Sequence, residues 1–248
     1  MSSQPVSPAA PTTNRLARFR DMMSRLDAAG DPSRALARDL YVSFPGGASE
    51  KIAGRLELRP ASTHLLVGGV GSGKTTELLK VRARLAETDV KAIYIDVSSR
   101  HDLAKMKPGV VFLQAAIALT RFAYQLSKAR GVMNVDAGKA TNELENIASG
   151  HVHPRRTKDI LDRGYEYREG ALAAPGPEFG ALTSEVRAIV APILAPVAEE
   201  IGTRAVVLLD GLDRLTDVEI FRNLVDDDVK ALTSLGVGVV LVGPLKCL

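Results

Sequence analysis

The expected fold of this chain is decided by one stretch, Gly68-Gly69-Val70-Gly71-Ser72-Gly73-Lys74-Thr75. It follows the pattern G-x-x-x-x-G-K-T, in which glycines let the backbone curl and aim N–H groups at phosphate oxygens. The lysine reaches the β- and γ-phosphates of a nucleotide, and the threonine hydroxyl ligates Mg²⁺. We therefore predict a nucleotide site formed by Gly68, Gly69, Val70, Gly71, Ser72, Gly73, Lys74, Thr75 and Thr76.

The segments on either side of this stretch have the secondary structure that a phosphate-binding loop requires. Residues 64–67, His-Leu-Leu-Val, predict a short buried strand, and residues 77–85 carry apolar side chains on one helical face. The N-terminal end of that helix would add its positive dipole at the phosphates. A glycine-rich surface loop is the alternative interpretation, but the order of strand, loop and helix favours a nucleotide site.

Size and composition are those of an ordinary globular protein. The chain has 248 residues, enough for one large domain or two small ones, and its 46% of hydrophobic residues include few aromatics. The net charge is +3, and most arginines alternate with acidic residues, as on a solvated surface. A nucleic-acid partner is therefore only weakly indicated.

The remaining features bear on location. The single cysteine, Cys247, allows no internal disulfide, which indicates a reducing compartment. The N-terminal segment lacks the apolar centre of a signal peptide, and the longest apolar run, residues 237–242, has the length of a strand. We therefore predict a cytoplasmic protein without a membrane span.

Hydrophobic periodicity predicts an α/β fold in which a parallel β-sheet has helices on both faces. The predicted strands are residues 64–67, 90–97, 205–210 and 237–242. The predicted helices are residues 14–29, 31–40, 49–56, 77–85, 111–127, 140–148, 157–163, 182–201, 219–225 and 229–235. Pro192 and Pro196 are expected to kink the helix over 182–201.

Three regions are predicted along the chain. Residues 1–13 are expected to be disordered, residues 14–57 to form a helical N-terminal extension, and residues 58–248 to form the nucleotide-binding core. A surface insertion is expected at about 131–180. It contains His151 and His153, which lack a third metal ligand nearby, and a basic cluster (Arg155, Arg156, Lys158) that is more typical of a solvated loop than of a nucleic-acid contact.

A second nucleotide motif is predicted at Asp210. An aspartate at the carboxyl end of a buried strand beside a phosphate-binding loop holds Mg²⁺ through its water shell. We predict Asp210 and Thr75 as the metal ligands, and we expect the strand of the loop and the strand of Asp210 to be neighbours in space. In the alternative interpretation, Asp210 only caps the following segment.

Hydrolysis of a nucleotide requires a group that orients water for attack on the γ-phosphate. Many P-loop ATPases have a glutamate directly after the metal-binding aspartate, where this chain has Gly211. The next acid is Asp213, and Arg214 is expected to pair with it or with phosphate. The predicted catalytic residues are therefore Lys74, Asp210 and Asp213, although Asp213 as a loop cap and Arg214 as a surface charge remain an open alternative.

Two segments resemble known families. Residues 209–214, Leu-Asp-Gly-Leu-Asp-Arg, resemble the second motif of NACHT-type and related STAND ATPases, which are signal-transducing P-loop NTPases related to AAA+ proteins. In their pattern D-G-x-D-E, the aspartates correspond to Asp210 and Asp213, whereas the glutamate is Arg214 here. Residues 39–78 resemble bacterial AAA-like ATPases, in which a helical lead-in precedes a G-S-G-K-[ST]-T-E-L loop. The resemblance covers about residues 39–97 and 204–243.

The resemblance implies a sheet in 5-1-4-3-2 order, with ATP and Mg²⁺ at the carboxyl ends of its strands. It implies that Tyr41, Val42 and Phe44 contact adenine, although ordinary packing explains them equally well. Relatives end the strand over 237–242 with a polar sensor residue, where this chain has Gly243-Pro244. Relatives continue with a fifth strand, a lid and an arginine finger, which this sequence does not contain. The chain is therefore expected to be either a truncated ATPase core or one that obtains these parts by self-association or from a protein partner.

The resemblance therefore implies a nucleotide-controlled regulatory ATPase with slow hydrolysis. Three alternatives stay open at the level of the sequence. These are a DNA-associated AAA+ ATPase of the initiator or loader kind, a small-molecule kinase, and a nucleotide-binding fragment without turnover.

Overall fold

The computed structural model describes residues 13–26, 32, 46–69, 71–99, 103–131, 135–148, 179–200 and 204–247. The chain divides into two compact units, Met1–Phe44 and Pro45–Leu248. Several predictions lie outside the described residues: disorder over 1–12, the helix over 31–40 apart from residue 32, the helix over 157–163, the adenine contacts, the histidine pair and the basic cluster. The predicted domain boundaries stay predictions.

The first unit contains helix α1, Thr13–Leu26, which confirms the helix predicted over 14–29 as far as the described residues extend. All described side chains of this helix, residues 15–23, are exposed. They include the apolar stripe of Leu16, Phe19, Met22 and Met23, each about half exposed. Helical spacing therefore predicted the conformation, while the stripe does not form a core.

The second unit contains a four-stranded sheet, with strands β1 (Thr63–Val67), β2 (Val90–Asp96), β3 (Arg204–Asp210) and β4 (Gly238–Gly243). All neighbouring strands are parallel, and their order is β1-β4-β3-β2. This is the order that the resemblance implies for the first four strands. The described residues contain no fifth strand. The prediction that β1 and β3 are neighbours is wrong. The apolar strand β4, which is buried along its whole length, lies between them.

Seven helices of the described residues complete the chain. In the second unit they are α2 (Ala48–Leu58), α3 (Lys74–Leu85), α4 (Val110–Ala129), α5 (Val135–Ala148), α6 (Phe179–Glu200), α7 (Val218–Leu224) and α8 (Lys230–Thr233). A π-helical turn, Val225–Val229, joins α7 to α8. The α5 segment falls within the predicted surface insertion, yet it packs against α4 and α6 and buries Ala137 and Leu144.

Alternating residues of the inner strands face opposite layers of helices, because successive side chains of a strand point to opposite sides. Val206 and Leu208 of β3 pack with apolar residues of α2 and α3. Val207 and Leu209 pack with the cluster formed by α4, α6 and α7. Helices therefore cover both faces of the sheet, and the α/β architecture is confirmed.

Helix α4 has a strongly apolar sequence. Within the described residues, Val110–Ala129 is the one helix whose length and hydropathy would suit a membrane span, and 56% of its apolar window is buried inside the fold. The expectation that no segment reaches this length is therefore wrong. A helix packed against a sheet and two other helices is apolar on most sides, which gives the same composition.

Asp228, in the π-helical turn, caps helix α4 from a distant part of the chain. Its carboxylate accepts hydrogen bonds from the backbone N–H groups of Gly109, Val111 and Phe112. Burial raises the pKa of this carboxyl to about 7. The interaction fixes the turn that follows α7 against the start of α4, and the first N–H groups of that helix gain an acceptor.

Candidate functional site

The predicted site residues lie at one edge of the sheet, where its parallel strands end. Strand β1 ends at Val67 and leads into the glycine-rich stretch, and β3 ends at Asp210. On the neighbouring strand β2, Asp96 pairs in register with Asp210. In parallel α/β sheets this edge is the usual position of a ligand site.

The glycine-rich stretch forms a tight curl before helix α3. Gly71 and Gly73 adopt left-handed φ angles of 78° and 82°, which glycine tolerates far better than other residues. The Ser72 N–H donates to the Gly69 carbonyl over 3.2 Å. A Cβ atom on Gly68 would lie 2.5 Å from Ser72 Oγ, so a side chain there would require the Ser72 hydroxyl to move. Gly71 and Gly73 therefore permit the tight turn that leads into α3.

All predicted loop residues except Val70, which lies outside the described part, belong to this curl or to the first turn of α3. Thr75 and Thr76 are the second and third residues of that helix and are half-buried. Their position beside the helix N-terminus is where the backbone N–H groups and the helix dipole favour an anion.

Lys74 is folded back onto its own loop and is only 8% exposed. Its ammonium lies 2.9 Å from the Gly68 carbonyl oxygen and 2.7 Å from that of Gly69. A third contact, 2.9 Å long, joins Lys74 Nζ to Asp213 Oδ2. A lysine ammonium has three donors, so these contacts occupy all of them. The fold therefore unites two predicted catalytic residues that are far apart in sequence.

Asp210 is buried, at 6% exposure, and both of its oxygens accept a hydrogen bond. The Tyr94 hydroxyl donates to Oδ2 and the Gly211 N–H to Oδ1, each over 2.8 Å. Among the described residues, no lysine or arginine forms an ion pair with this carboxylate. A buried carboxylate is costly unless hydrogen bonds or a positive charge compensate it.

The predicted magnesium ligands, Asp210 and Thr75, both carry oxygen donors. Mg²⁺ prefers oxygen ligands and is commonly held by one or two carboxylates together with substrate phosphates. Asp210 and the Thr75 hydroxyl supply such oxygens at the same sheet edge. The part of the chain described here contains no group of three or more histidine, cysteine, aspartate or glutamate side chains that could hold a metal by themselves. Retention of the ion would therefore depend on the phosphates of a nucleotide.

Gly211, at the position where many P-loop ATPases have a glutamate, has no space for a side chain. Its φ angle is 84°, and a Cβ atom at this position would lie 2.7 Å from Ser98 Cβ and 3.0 Å from the Ser98 nitrogen. The loop after β2 therefore occupies the space that a larger side chain would need.

Asp213 comes from the short 3₁₀ turn Leu212–Arg214 and is the acid that faces Lys74. The expected pairing of Asp213 with Arg214 is absent from the described contacts, in which Arg214 is exposed. The charged partner of Asp213 is the lysine of the loop instead.

Sequence reasoning missed two residues of the site. Tyr94 and Asp96 both lie in the strand predicted over residues 90–97, and neither is among the predicted site residues. Asp96 accepts hydrogen bonds from Ser98 Oγ over 2.7 Å and from the Ser99 N–H over 3.2 Å, and so holds the loop that follows β2. The parallel register of β2 and β3 is the signal that would have placed both residues beside Asp210.

Glu77 anchors the helix that precedes β1. Its Oε2 accepts a hydrogen bond of 2.7 Å from the backbone N–H of Ser49, the second residue of α2. This contact joins the first turn of α2 to the first turn of α3, directly after the loop. Helix α2 is thereby held close to the predicted nucleotide site.

Three clefts lined by described residues lie elsewhere. One of about 510 Å³ lies beside β1 and includes Leu65 and Phe221, and one of about 430 Å³ lies between α4 and α5 and includes Tyr124. A third, about 510 Å³, includes Arg187 and Lys230. None of these three clefts is lined by the loop residues, Asp210 or Asp213.

Comparison with known proteins adds no family assignment. No model of a known protein family matches the chain, and no curated protein has a similar sequence. The resemblance to STAND and AAA-like ATPases therefore rests on the residues of its two motifs and stays a prediction.

Proposed function

We propose that this protein binds ATP with Mg²⁺ and hydrolyses it slowly, as a nucleotide-controlled regulatory ATPase of the STAND and AAA-like kind. One observation carries the proposal. The curled loop after β1 presents the Lys74 ammonium to Asp213, at the sheet edge where the buried carboxylate of Asp210 also lies. Glycine-rich curl, lysine, hydroxyl and carboxylate are the groups that triphosphate binding requires.

Each group has a distinct role in this proposal. The loop backbone and the N-terminus of α3 bind the phosphate oxygens, and Lys74 exchanges its present acceptors for the β- and γ-phosphates. Thr75 and Asp210 would hold Mg²⁺, which when bound neutralises negative charge on the phosphates. The absence of an N-K-x-D motif for reading guanine favours ATP over GTP.

Asp213 is the proposed water-orienting residue. Its side chain is 19% exposed, so water can reach the carboxylate. Slow hydrolysis is expected for two reasons that lie in this chain. Gly211 leaves no room for a glutamate after Asp210, and β4 ends in Gly243 rather than in a polar residue.

The remaining parts of the proposal concern context. A second copy or a protein partner is the proposed binding partner, and the nucleotide state would control that association. The cytoplasm, where ATP and Mg²⁺ are abundant, is the proposed location. Two alternatives remain: a DNA-associated ATPase and a nucleotide-binding protein without turnover.

The test is an ATP titration of wild type and Lys74→Ala, with phosphate release and molecular mass followed on the same samples. Charge-assisted hydrogen bonds are worth about 1.5–3 kcal/mol, so ATP binding should weaken about 10- to 150-fold. Lys139→Ala is the matched control, because Lys139 lies on α5 and is 74% exposed. Melting temperatures without nucleotide show whether each variant is folded.

Equal ATP affinity in folded wild type and Lys74→Ala would refute the proposal. Binding without phosphate release by the wild type would favour the alternative without turnover. Salt-dependent DNA binding would favour the DNA-associated ATPase.

A further inference from the structure

Tyr94 connects strand β2 to the carboxylate of Asp210. It pairs in register with Leu208 of β3, two residues before the pair formed by Asp96 and Asp210. Its ring packs partly buried against the apolar cluster beneath α2 and α3. From that position the hydroxyl reaches diagonally across the two strands and donates to Asp210 Oδ2 over 2.8 Å. Aromatic side chains have the length for such diagonal contacts.

The hydroxyl and the Gly211 N–H together hold both oxygens of Asp210. Two donors on different oxygens restrict rotation of the carboxylate plane. A carboxylate oxygen has about two acceptor sites, so each oxygen keeps one site for another ligand. The arrangement therefore fixes the orientation of Asp210 and leaves acceptor capacity on both oxygens.

Packing alone does not account for a hydroxyl at this position. Phenylalanine would supply the same ring contacts, and a buried hydroxyl is unfavourable unless it finds a partner. Its partner here is a buried carboxylate that has no lysine or arginine in ion-pair contact among the described residues. Donors that hold a metal-binding carboxylate commonly affect metal affinity without touching the metal.

We propose that Tyr94 is a positioning residue for magnesium, which orients the Asp210 carboxylate through its hydroxyl. This inference rests on the proposed function, since it names a further residue of the same nucleotide–Mg²⁺ site. Tyr94 acts through Asp210 and has no contact with phosphate in this account. It therefore predicts a change in metal dependence, with nucleotide binding in the absence of metal left unchanged.

The test compares Tyr94→Phe with Tyr124→Phe in the full chain. Tyr124 lies on α4, outside the site, and its ring borders the cleft that also includes Gly138. A fluorescent ATP analogue is titrated first in EDTA and then at fixed concentration with increasing Mg²⁺. Binding of Mn²⁺ to the protein–nucleotide complex, followed by the loss of the free-ion EPR signal, measures the metal directly.

In Tyr94→Phe, the metal concentration for half-saturation should rise about tenfold, the lower end of the effect of losing such a donor. Binding in EDTA should stay within about twofold of wild type, and Tyr124→Phe should match wild type in both measurements. An unchanged metal dependence in folded Tyr94→Phe would overturn the inference.

A second variant pair tests whether Tyr94 acts through Asp210. In the Asp210→Ala background, Tyr94→Phe should cause no further change in the metal dependence of nucleotide binding. The same tenfold shift in both backgrounds would contradict an action through this carboxylate.

The two proposals fail in different ways. If the wild type shows no metal-dependent nucleotide binding, the proposed function and this inference both fall. If the wild type binds and Lys74→Ala does not, while Tyr94→Phe behaves like Tyr124→Phe, only the role of Tyr94 is refuted.

Discussion

The ion pair between Lys74 and Asp213 predicts that this protein binds nucleotide against an internal competitor. Asp213 pairs with the ammonium that the phosphates of the proposed nucleotide would contact. Replacing Asp213 by asparagine keeps the shape of the side chain and removes its charge. We predict that Asp213→Asn binds ATP more tightly than wild type and releases phosphate more slowly.

The size of the effect follows from the contact distance. At 2.9 Å, two unit charges attract each other by about 6 kcal/mol at an effective dielectric constant of about 20. Most of this is not lost on binding, because the ammonium gains phosphate oxygens in exchange. What counts is how much more strongly the ammonium is bound by the charged Asp213 than by a neutral asparagine, which is about 1–1.5 kcal/mol. Asp213→Asn should therefore bind ATP about five- to tenfold more tightly.

Turnover should change in the opposite direction. A positioned group that takes part in proton transfer typically contributes about 10²–10⁴-fold to a rate, so phosphate release should fall at least about 100-fold. Calorimetric titration with ATP and Mg²⁺ measures the affinity, and a coupled phosphate assay measures the turnover. Asp136→Asn is the matched control, because Asp136 lies on α5 and is 82% exposed.

The two measurements refute different parts of the reasoning. Unchanged or weaker ATP binding by Asp213→Asn would show that Asp213 does not compete for Lys74. Wild-type turnover in this variant would show that another group orients the water.

Two further predictions concern stability. Gly211→Ala should lower the free energy of unfolding by about 2–4 kcal/mol, from a strained left-handed φ and overpacking against Ser98. Gly236→Ala is the matched control, because Gly236 has a φ of 75° and open space where a Cβ would lie, and it should lower the free energy of unfolding by only about 1 kcal/mol. Equal losses for the two variants in chemical denaturation would exclude the contact with Ser98. Asp228 has a folded-state pKa of about 7, above its ordinary 3.8, so its contribution to stability falls as pH rises between these values. Across this pH range, the free energy of unfolding of the wild type should fall by up to about 4 kcal/mol relative to that of Asp228→Asn. Chemical denaturation at several pH values measures this difference. Parallel pH profiles of the two proteins would exclude the assignment.

The local parts of the fold could be predicted from the sequence. Apolar runs predicted all four strands, and the glycine pattern predicted the curl at residues 68–73, because a left-handed φ is a property of single residues. No strand boundary differs from its prediction by more than one residue.

The parts that depend on distant contacts could not be predicted in the same way. The strand beside β1 is β4, which the resemblance implies, whereas the motifs taken by themselves suggested β3. The cap on α4 comes from Asp228, which is more than a hundred residues away from it. The hydrogen bond from Tyr94 to Asp210 could not be predicted, because it requires the register of β2 against β3.

The most direct test of this account is a crystal structure of the full chain with a non-hydrolysable ATP analogue and Mg²⁺. The account predicts that the β- and γ-phosphates lie in the loop over residues 68–73, with Lys74 Nζ moved from the Gly68 and Gly69 carbonyls to phosphate oxygens. A nucleotide bound elsewhere, or Lys74 still in contact with both carbonyls while the loop is empty, would contradict it.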